Sequence, residues 1–261
     1  MYGFLIKKNL FDGWDNMLYI IVPNLVMIAC ISIFTFFSHY VFEYNFILSV
    51  VLLVIGIVTL TICIFAYGDT ALDISNFKGV TVKQYFLSFK KAIKDGFLFS
   101  LILGILFVLG YVVIPFYVNW SNTVGLLLAA LMLWIIILSV LALQWFFPLR
   151  NLQKAPFFRT LKNCYGYFFD NPLFSIFLLL YNLVLTILSI PVFLVIPSFS
   201  GIALAQMNAV RLRLYKYDYI AEHPELTKKQ RKKLPWKEIL KEDMDCIGPR
   251  TIKSFIFPGR E

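Results

Sequence analysis

Long apolar runs alternate with short polar connections along the whole chain. Five runs of 20 residues or more contain no Asp, Glu, Lys or Arg: residues 18–37, 46–67, 97–118, 123–147 and 173–196. A helix needs about 20 residues to cross a hydrocarbon core of about 30 Å. One such charge at a helix centre would cost about 2.5–3.5 kcal/mol. The pattern therefore predicts five transmembrane helices.

Composition points to the same class of protein. Of the 261 residues, 60% are hydrophobic and 15% are charged, whereas an average soluble domain is about 45–50% apolar and about 25% charged. A soluble fold of this size could not cover that much apolar surface. We therefore expect an all-α, polytopic transmembrane helix bundle.

A sixth, shorter span is predicted over residues 198–214, which end in Arg211 and Arg213. The 24 Lys and Arg residues all fall in the N-terminal segment, in two long connections and from Arg211 onward. The positive-inside rule places these segments in the cytoplasm. Six crossings, with a turn near residues 197–201, put both termini there. The two arginines are expected to extend to the cytoplasmic interface.

The two long basic connections, residues 81–96 and 156–170, have apolar residues at helical spacing and lysines or arginines largely opposite. Such a pattern favours amphipathic helices lying on the inner leaflet, where aromatic rings enter the lipid and cations meet anionic headgroups. The candidate membrane-interface anchors are Phe86, Phe89, Lys90, Lys94, Arg159 and Lys162.

The last segment is the most basic. We divide the chain into a membrane domain, residues 1–217, and a basic cytoplasmic tail, residues 218–261, which contains five Lys or Arg residues between 228 and 233. Three readings of the tail stay open: a solvated segment, one that associates with the inner leaflet, and one that docks on a protein partner.

Candidate chemistry is sparse. Asp69 and Asp73 share one helix face, as a cation site would require, but a solvated helix end is the commoner case. Amides in the apolar runs favour interhelical hydrogen bonds over a substrate path, and four prolines favour bends and turns over the broken helices of transporters. The amides are Asn24, Gln144, Asn182, Gln206 and Asn208, and the prolines are Pro23, Pro115, Pro191 and Pro197.

Catalytic motifs are missing from the sequence. It contains no phosphate-binding glycine loop, no HExxH, no GxSxG and no CxxC pair, and its only histidines are His39 and His223. We therefore expect no catalytic residues, no cofactor and no metal site. The net charge of +9 suits membrane orientation and anionic lipid better than nucleic acid, because no recognition motif accompanies it.

Three sequence segments resemble the YesL-like family of bacterial membrane proteins. The first is residues 85–96, which enter a membrane helix. The others are residues 145–149, followed by a basic segment that ends near Lys162 and Asn163, and residues 197–199, which open the last span. The resemblance covers roughly residues 10–215. It implies a multi-pass protein of the bacterial cytoplasmic membrane, with no established functional residues to transfer.

Members of that family are commonly encoded near carbohydrate uptake and sensing systems. The resemblance therefore implies a non-enzymatic accessory or scaffold protein whose partners are the anionic bilayer and a transporter or sensor. A small-molecule transporter is the alternative, and a lipid-interacting, membrane-shaping protein is a third reading.

Overall fold

The computed structural model describes residues 1–120, 122–227, 230–232 and 234–250. These residues form helices and connections, without a strand among them. The basic run at 228–233 is described only in part, and residues 251–261 of the predicted tail lie outside the described residues.

Five helical segments are long and apolar enough to span a membrane, which confirms the five predicted spans and makes the chain a polytopic helical membrane protein. They are α2 (Met17–Phe42), α3 (Phe46–Ala66) with its continuation α4 (Gly68–Ser75), α5 (Val82–Val108) continued through a π-helical turn (Leu109–Val113) into α6 (Ile114–Val118), α7 (Thr123–Leu143), and α10 (Pro172–Ser189) with a 3₁₀ turn (Ile190–Val192).

Shorter helices precede, separate and follow the spans. They are α1 (Tyr2–Asp15), α8 (Phe146–Gln153), α9 (Phe157–Asp170), α12 (Trp236–Ile239) and α13 (Lys241–Ile247), with one 3₁₀ turn at Gln230–Lys232. Together with α4 and the last long helix, α11 (Ser198–Glu222), they carry most of the buried core. Trp145, Tyr67 and Lys8 are among its largest fully buried side chains.

Helices α2 and α3 form a close antiparallel hairpin. The hydroxyls of Ser38 and Ser49 are 2.8 Å apart, both buried. Gly56 faces Phe34 so closely that an added Cβ would lie 2.8 Å from the Phe34 Cβ. Small residues thus let the two backbones approach, as is usual between membrane helices.

The predicted sixth span is part of α11, which begins at Ser198 as expected but continues to Glu222. Its residues are buried against several other helices, and Leu204, Ala205 and Val210 are at most 1% exposed. Within the described residues, α11 is not among the helices that are long and apolar enough to span a membrane, so the sixth span stays a prediction. Helix α11 also crosses the predicted domain boundary at residue 217.

The two arginines of α11 differ from the prediction that they reach out to the interface. Arg213 is 6% exposed and stacks on Phe174 of α10, with 3.7 Å between the guanidinium carbon and the ring centroid. Arg211 pairs with Asp243 of α13. Contacts with α10 keep Arg213 buried, and contacts with α13 leave Arg211 partly buried, with 19% of its side chain exposed.

Residues 82–96 are helical, as predicted for 81–96, but they form no element of their own. They are the first half of α5, which runs without a break into the span. Small residues allow this part of the helix to pack on α3: an added Cβ at Gly96 would lie 2.9 Å from the Cα of Ile62. The buried side of α5 is therefore Tyr85, Ser88, Ala92 and Gly96.

Residues 156–170 do form a separate helix, α9. The apolar face that we expected on the leaflet instead contributes Phe157 and Phe168 to the protein core. Phe158 and Phe169, 76% and 67% exposed, point away from it. The spacing of the apolar residues predicted the helix correctly but not what covers its apolar face.

Candidate functional site: a buried ionic cluster

Charged groups are concentrated where α1, α11 and α13 meet. Lys8 and Asp12 lie one turn apart on α1, 2.9 Å from Nζ to Oδ2, and are 0% and 5% exposed. Burial lowers the pKa of Lys8, against the attraction of Asp12. Burial also raises the pKa of Asp12, and Lys8 and Asn208 oppose that rise. Each group thus offsets part of its partner's desolvation.

Two residues from other elements complete the surroundings of this pair. Asn208 of α11, fully buried, donates from Nδ2 to the Oδ2 of Asp12 at 3.0 Å. The ring of Phe77 lies under Lys8, 3.5 Å from Nζ to its centroid. Phe77 has a φ of +56°, a conformation that is uncommon for a bulky residue and that brings its ring beneath the ammonium.

A second pair joins α11 to α13. Arg211 donates to both carboxylate oxygens of Asp243, at 3.2 and 2.8 Å, and Tyr215 donates to the same carboxylate at 2.9 Å. Arg211 also donates to the Oδ1 of Asn76. Its guanidinium carbon lies 5.5 Å from the Phe77 centroid, so one ring adjoins both cations.

We call Lys8, Asp12, Asn208, Arg211 and Asp243 the ionic cluster. It contains two cations and two carboxylates that contact one another or a buried amide. A cavity of about 290 Å³ adjoins it, between α1 and the end of the described tail, and its lining includes Asp12, Asp15, Phe77 and Arg250. The fully buried Lys8 ammonium sits between a carboxylate and a ring. The bonds from Asn208 to Asp12 and from Arg211 to Asp243 hold α1, α11 and α13 together.

The carboxylates singled out in the sequence have structural partners on α5. Asp69 accepts from the Ser88 hydroxyl at 2.9 Å, and Asp73 accepts from the Gln84 amide at 2.6 Å. The structure therefore shows each carboxylate holding α4 against α5. Within the described residues, no group of three or more His, Cys, Asp or Glu side chains could hold a metal ion.

The amides confirm the prediction of interhelical bonds at three positions. Asn24 donates to the carbonyls of Val195 and Pro197 and accepts from the Ser200 amide. Gln144 donates to the Ser175 carbonyl at 2.8 Å, and Asn208 bonds to Asp12. Of the prolines, Pro23 lies inside the continuous α2, while Pro197 ends an irregular segment before α11.

The candidate anchors lie on the surface rather than at the ionic cluster. Phe86 is 51% exposed, Phe89 is half-buried, and the four cations are exposed: Lys90, Lys94, Arg159 and Lys162. That lipid covers these side chains stays a prediction.

Sequence reasoning missed Lys8 and Asp12, although one signal was present. Lys8 and Asp12 are opposite charges four residues apart, so they share one face of the short helix α1. The other positions of that helix are largely apolar. The residues that cover this face are distant in sequence: Phe77 lies under Lys8, and Asn208 of α11, 196 residues from Asp12, bonds to its carboxylate.

No family model, no curated protein and no solved structure matches this chain.

Proposed function

We propose that this protein is a non-enzymatic accessory or scaffold protein of a membrane transport or sensory system. One observation carries the proposal. In the most apolar part of each of the five spans, only 6% to 33% of the residues are buried within the chain. Their outer faces are available to lipid and to the helices of another membrane protein.

The resemblance to YesL-like proteins supports a bacterial cytoplasmic membrane and an association with carbohydrate uptake or sensing. The distribution of basic residues supports cytoplasmic termini. On that orientation, the ionic cluster and the short helices lie on the cytoplasmic side.

Transport is the second candidate, because an irregular segment at residues 193–197 interrupts the helices beside Asn24. In transporters such segments present free carbonyls to a substrate or ion. Here the Val195 and Pro197 carbonyls accept from Asn24, at 2.8 and 2.9 Å. Those acceptors are thus engaged within the protein, which favours the accessory role.

Photo-crosslinking in native membranes tests the proposal. A photoreactive amino acid would replace Phe36, Phe107 or Leu183, which are 66%, 61% and 51% exposed on three different spans, with the fully buried Met27 as the control. We expect at least one exposed position to crosslink to one transport or sensory protein, and Met27 to give no such product. Crosslinks to lipid alone, or solute uptake by the purified protein in liposomes, would contradict the accessory role.

A further inference from the structure

Arg213 is a nearly buried cation without a carboxylate partner in the described part of the chain. It is 6% exposed, and its Nε has no hydrogen-bond partner. The ion pairs of the described residues involve other cations. The Arg213 guanidinium carbon lies 3.7 Å from the centroid of the Phe174 ring. A desolvated charge normally has a counter-ion.

A second cation lies one turn further along α11. Lys216 donates from Nζ to the Oδ1 of Asn171 at 2.9 Å. Burial lowers the pKa of Lys216, and repulsion from Arg213 lowers it further, while Asp170 opposes both. Asp170 is exposed and accepts from the Tyr217 hydroxyl at 3.4 Å. Asp170 thus partly offsets the charge of Lys216.

The N-terminus of α10 adds a third positive group. Asn171 precedes the helix but makes no side-chain cap; its Nδ2 donates instead to the Tyr217 oxygen and the Tyr167 carbonyl. Phe174, on which Arg213 stacks, is the third residue of α10. Pro172, the first residue of α10, has no N–H, and the Ser175 N–H bonds to the Asn171 carbonyl, so the N–H groups of Leu173 and Phe174 are those left for an anion. The helix dipole also attracts anions there.

We propose that Arg213, Lys216 and the N-terminus of α10 bind a phosphate-bearing anion, the headgroup of an anionic lipid. A guanidinium fork matches the oxygens of a phosphate. Apolar surface for an acyl chain adjoins the site, since Leu173 and Phe169 are 77% and 67% exposed. Tyr2, whose ring packs on Phe174 and Phe177, supplies the aromatic surround typical of a membrane interface.

Native mass spectrometry of the full-length protein in a non-ionic detergent tests the site with phosphatidylglycerol and phosphatidylcholine. We expect preferential retention of phosphatidylglycerol, weakened about fivefold by Arg213→Gln and by Lys216→Gln. Lys91→Gln is the matched control, because Lys91 is a lysine whose side chain is 76% exposed and lies elsewhere; it should bind as the wild type does.

A second titration, with inorganic phosphate in lipid-free detergent, separates the two sources of the anion. Binding that depends on Arg213 and Lys216 would assign the site to a free phosphate; phosphatidylglycerol binding alone would assign it to lipid. Equal retention of both lipids by the wild type and the variants, without phosphate binding, would overturn the site. Lys216→Gln decides the outcome if Arg213→Gln does not fold, because Lys216 is partly exposed.

Discussion

The ammonium of Lys8 lies 2.9 Å from the Oδ2 of Asp12, and neither side chain is more than 5% exposed. Removing one member of a buried ion pair leaves the other charge uncompensated, which destabilises a protein by about 3–5 kcal/mol. The Asn208 amide would lose its acceptor as well. The pair therefore holds α1 in place only when it is intact.

We accordingly expect Asp12→Ala to lower the free energy of unfolding by about 3–5 kcal/mol. The double substitution Lys8→Met with Asp12→Leu should recover most of that loss, because two apolar side chains of similar size need no counter-charge. Tryptophan fluorescence during denaturation in detergent measures both. Lys91→Ala, which removes the exposed contact with Asp69, should change stability by about 1 kcal/mol or less. Equal losses of stability in Asp12→Ala and Lys91→Ala would contradict a stabilising role for the buried Lys8–Asp12 pair.

The spans could be predicted from sequence, and the ionic cluster could not, for one physical reason. A span such as 46–67 is encoded by local hydropathy, because lipid is the same partner along its whole length. The burial of Lys8 depends on α11, and that of Arg213 on α10, and neither neighbour can be found by local periodicity. The apolar face of α9 shows the same limit, since spacing does not distinguish lipid from protein.

Gly96 and Gly104 on α5 form a matched pair of positions. A Cβ at Gly96 would meet the Ile62 backbone at 2.9 Å, whereas a Cβ at Gly104 has nothing within 4 Å. Gly96→Ala should destabilise by about 1–3 kcal/mol through overpacking. Gly104→Ala should be neutral or stabilise by up to about 1 kcal/mol, because alanine favours helix. Thermal unfolding of the two variants measures the contrast. Similar midpoints would show that the α3 backbone at Ile62 does not approach Gly96 closely enough to exclude a methyl group.

Asp243 should control the attachment of α13. Asp243→Asn removes the charge that Arg211 and Tyr215 contact, and hydrogen bonds to charged groups contribute about 1.5–3 kcal/mol. We expect faster amide hydrogen exchange across residues 241–247. Asp15→Asn is the control. The side chains of Asp15 and Arg250 are 44% and 42% exposed, so their ion pair should contribute about 1 kcal/mol or less. Unchanged exchange in Asp243→Asn would mean that apolar contacts of Leu240 and Ile247 suffice.

Cys164 and Cys246 should differ in thiol reactivity. Cys164 is fully buried, and burial raises its pKa to about 12, so roughly one in ten thousand molecules carries the thiolate at pH 8. Cys246 is exposed. A membrane-impermeant maleimide should modify Cys246 rapidly and Cys164 hardly at all. Reaction at Cys164 should accelerate as the pH rises toward 12.

The same reagent tests the proposed orientation of the chain. If the tail is cytoplasmic, Cys246 should react in inside-out vesicles and stay protected in sealed cells, and Cys246→Ser should abolish the signal. Labelling of intact cells at Cys246 would place the tail outside and leave an odd number of crossings.

The segment from Val82 to Val118 has 37 residues, about 55 Å of helix at 1.5 Å per residue. A hydrocarbon core of about 30 Å cannot contain all of it. We expect the end that carries Lys83, Lys90 and Lys94 to lie at the interface, where Phe86 is 51% exposed and stacked 6.2 Å from Phe89.

Phe86 should therefore anchor this end of α5 in lipid, and burying one Phe contributes about 1.5–3 kcal/mol. A fluorophore at Phe86 in pure liposomes should be quenched by lipid-borne quenchers and shielded from soluble ones. A fluorophore at the exposed Glu225, beyond α11, should show the reverse. Phe86→Asp should shift this end of the helix toward water, because it removes burial and adds repulsion from anionic headgroups.

A Phe86 probe that is open to soluble quenchers in liposomes but protected in native membranes would contradict lipid anchoring. Protection that requires native membranes would instead make Phe86 part of the surface on which the proposed partner docks.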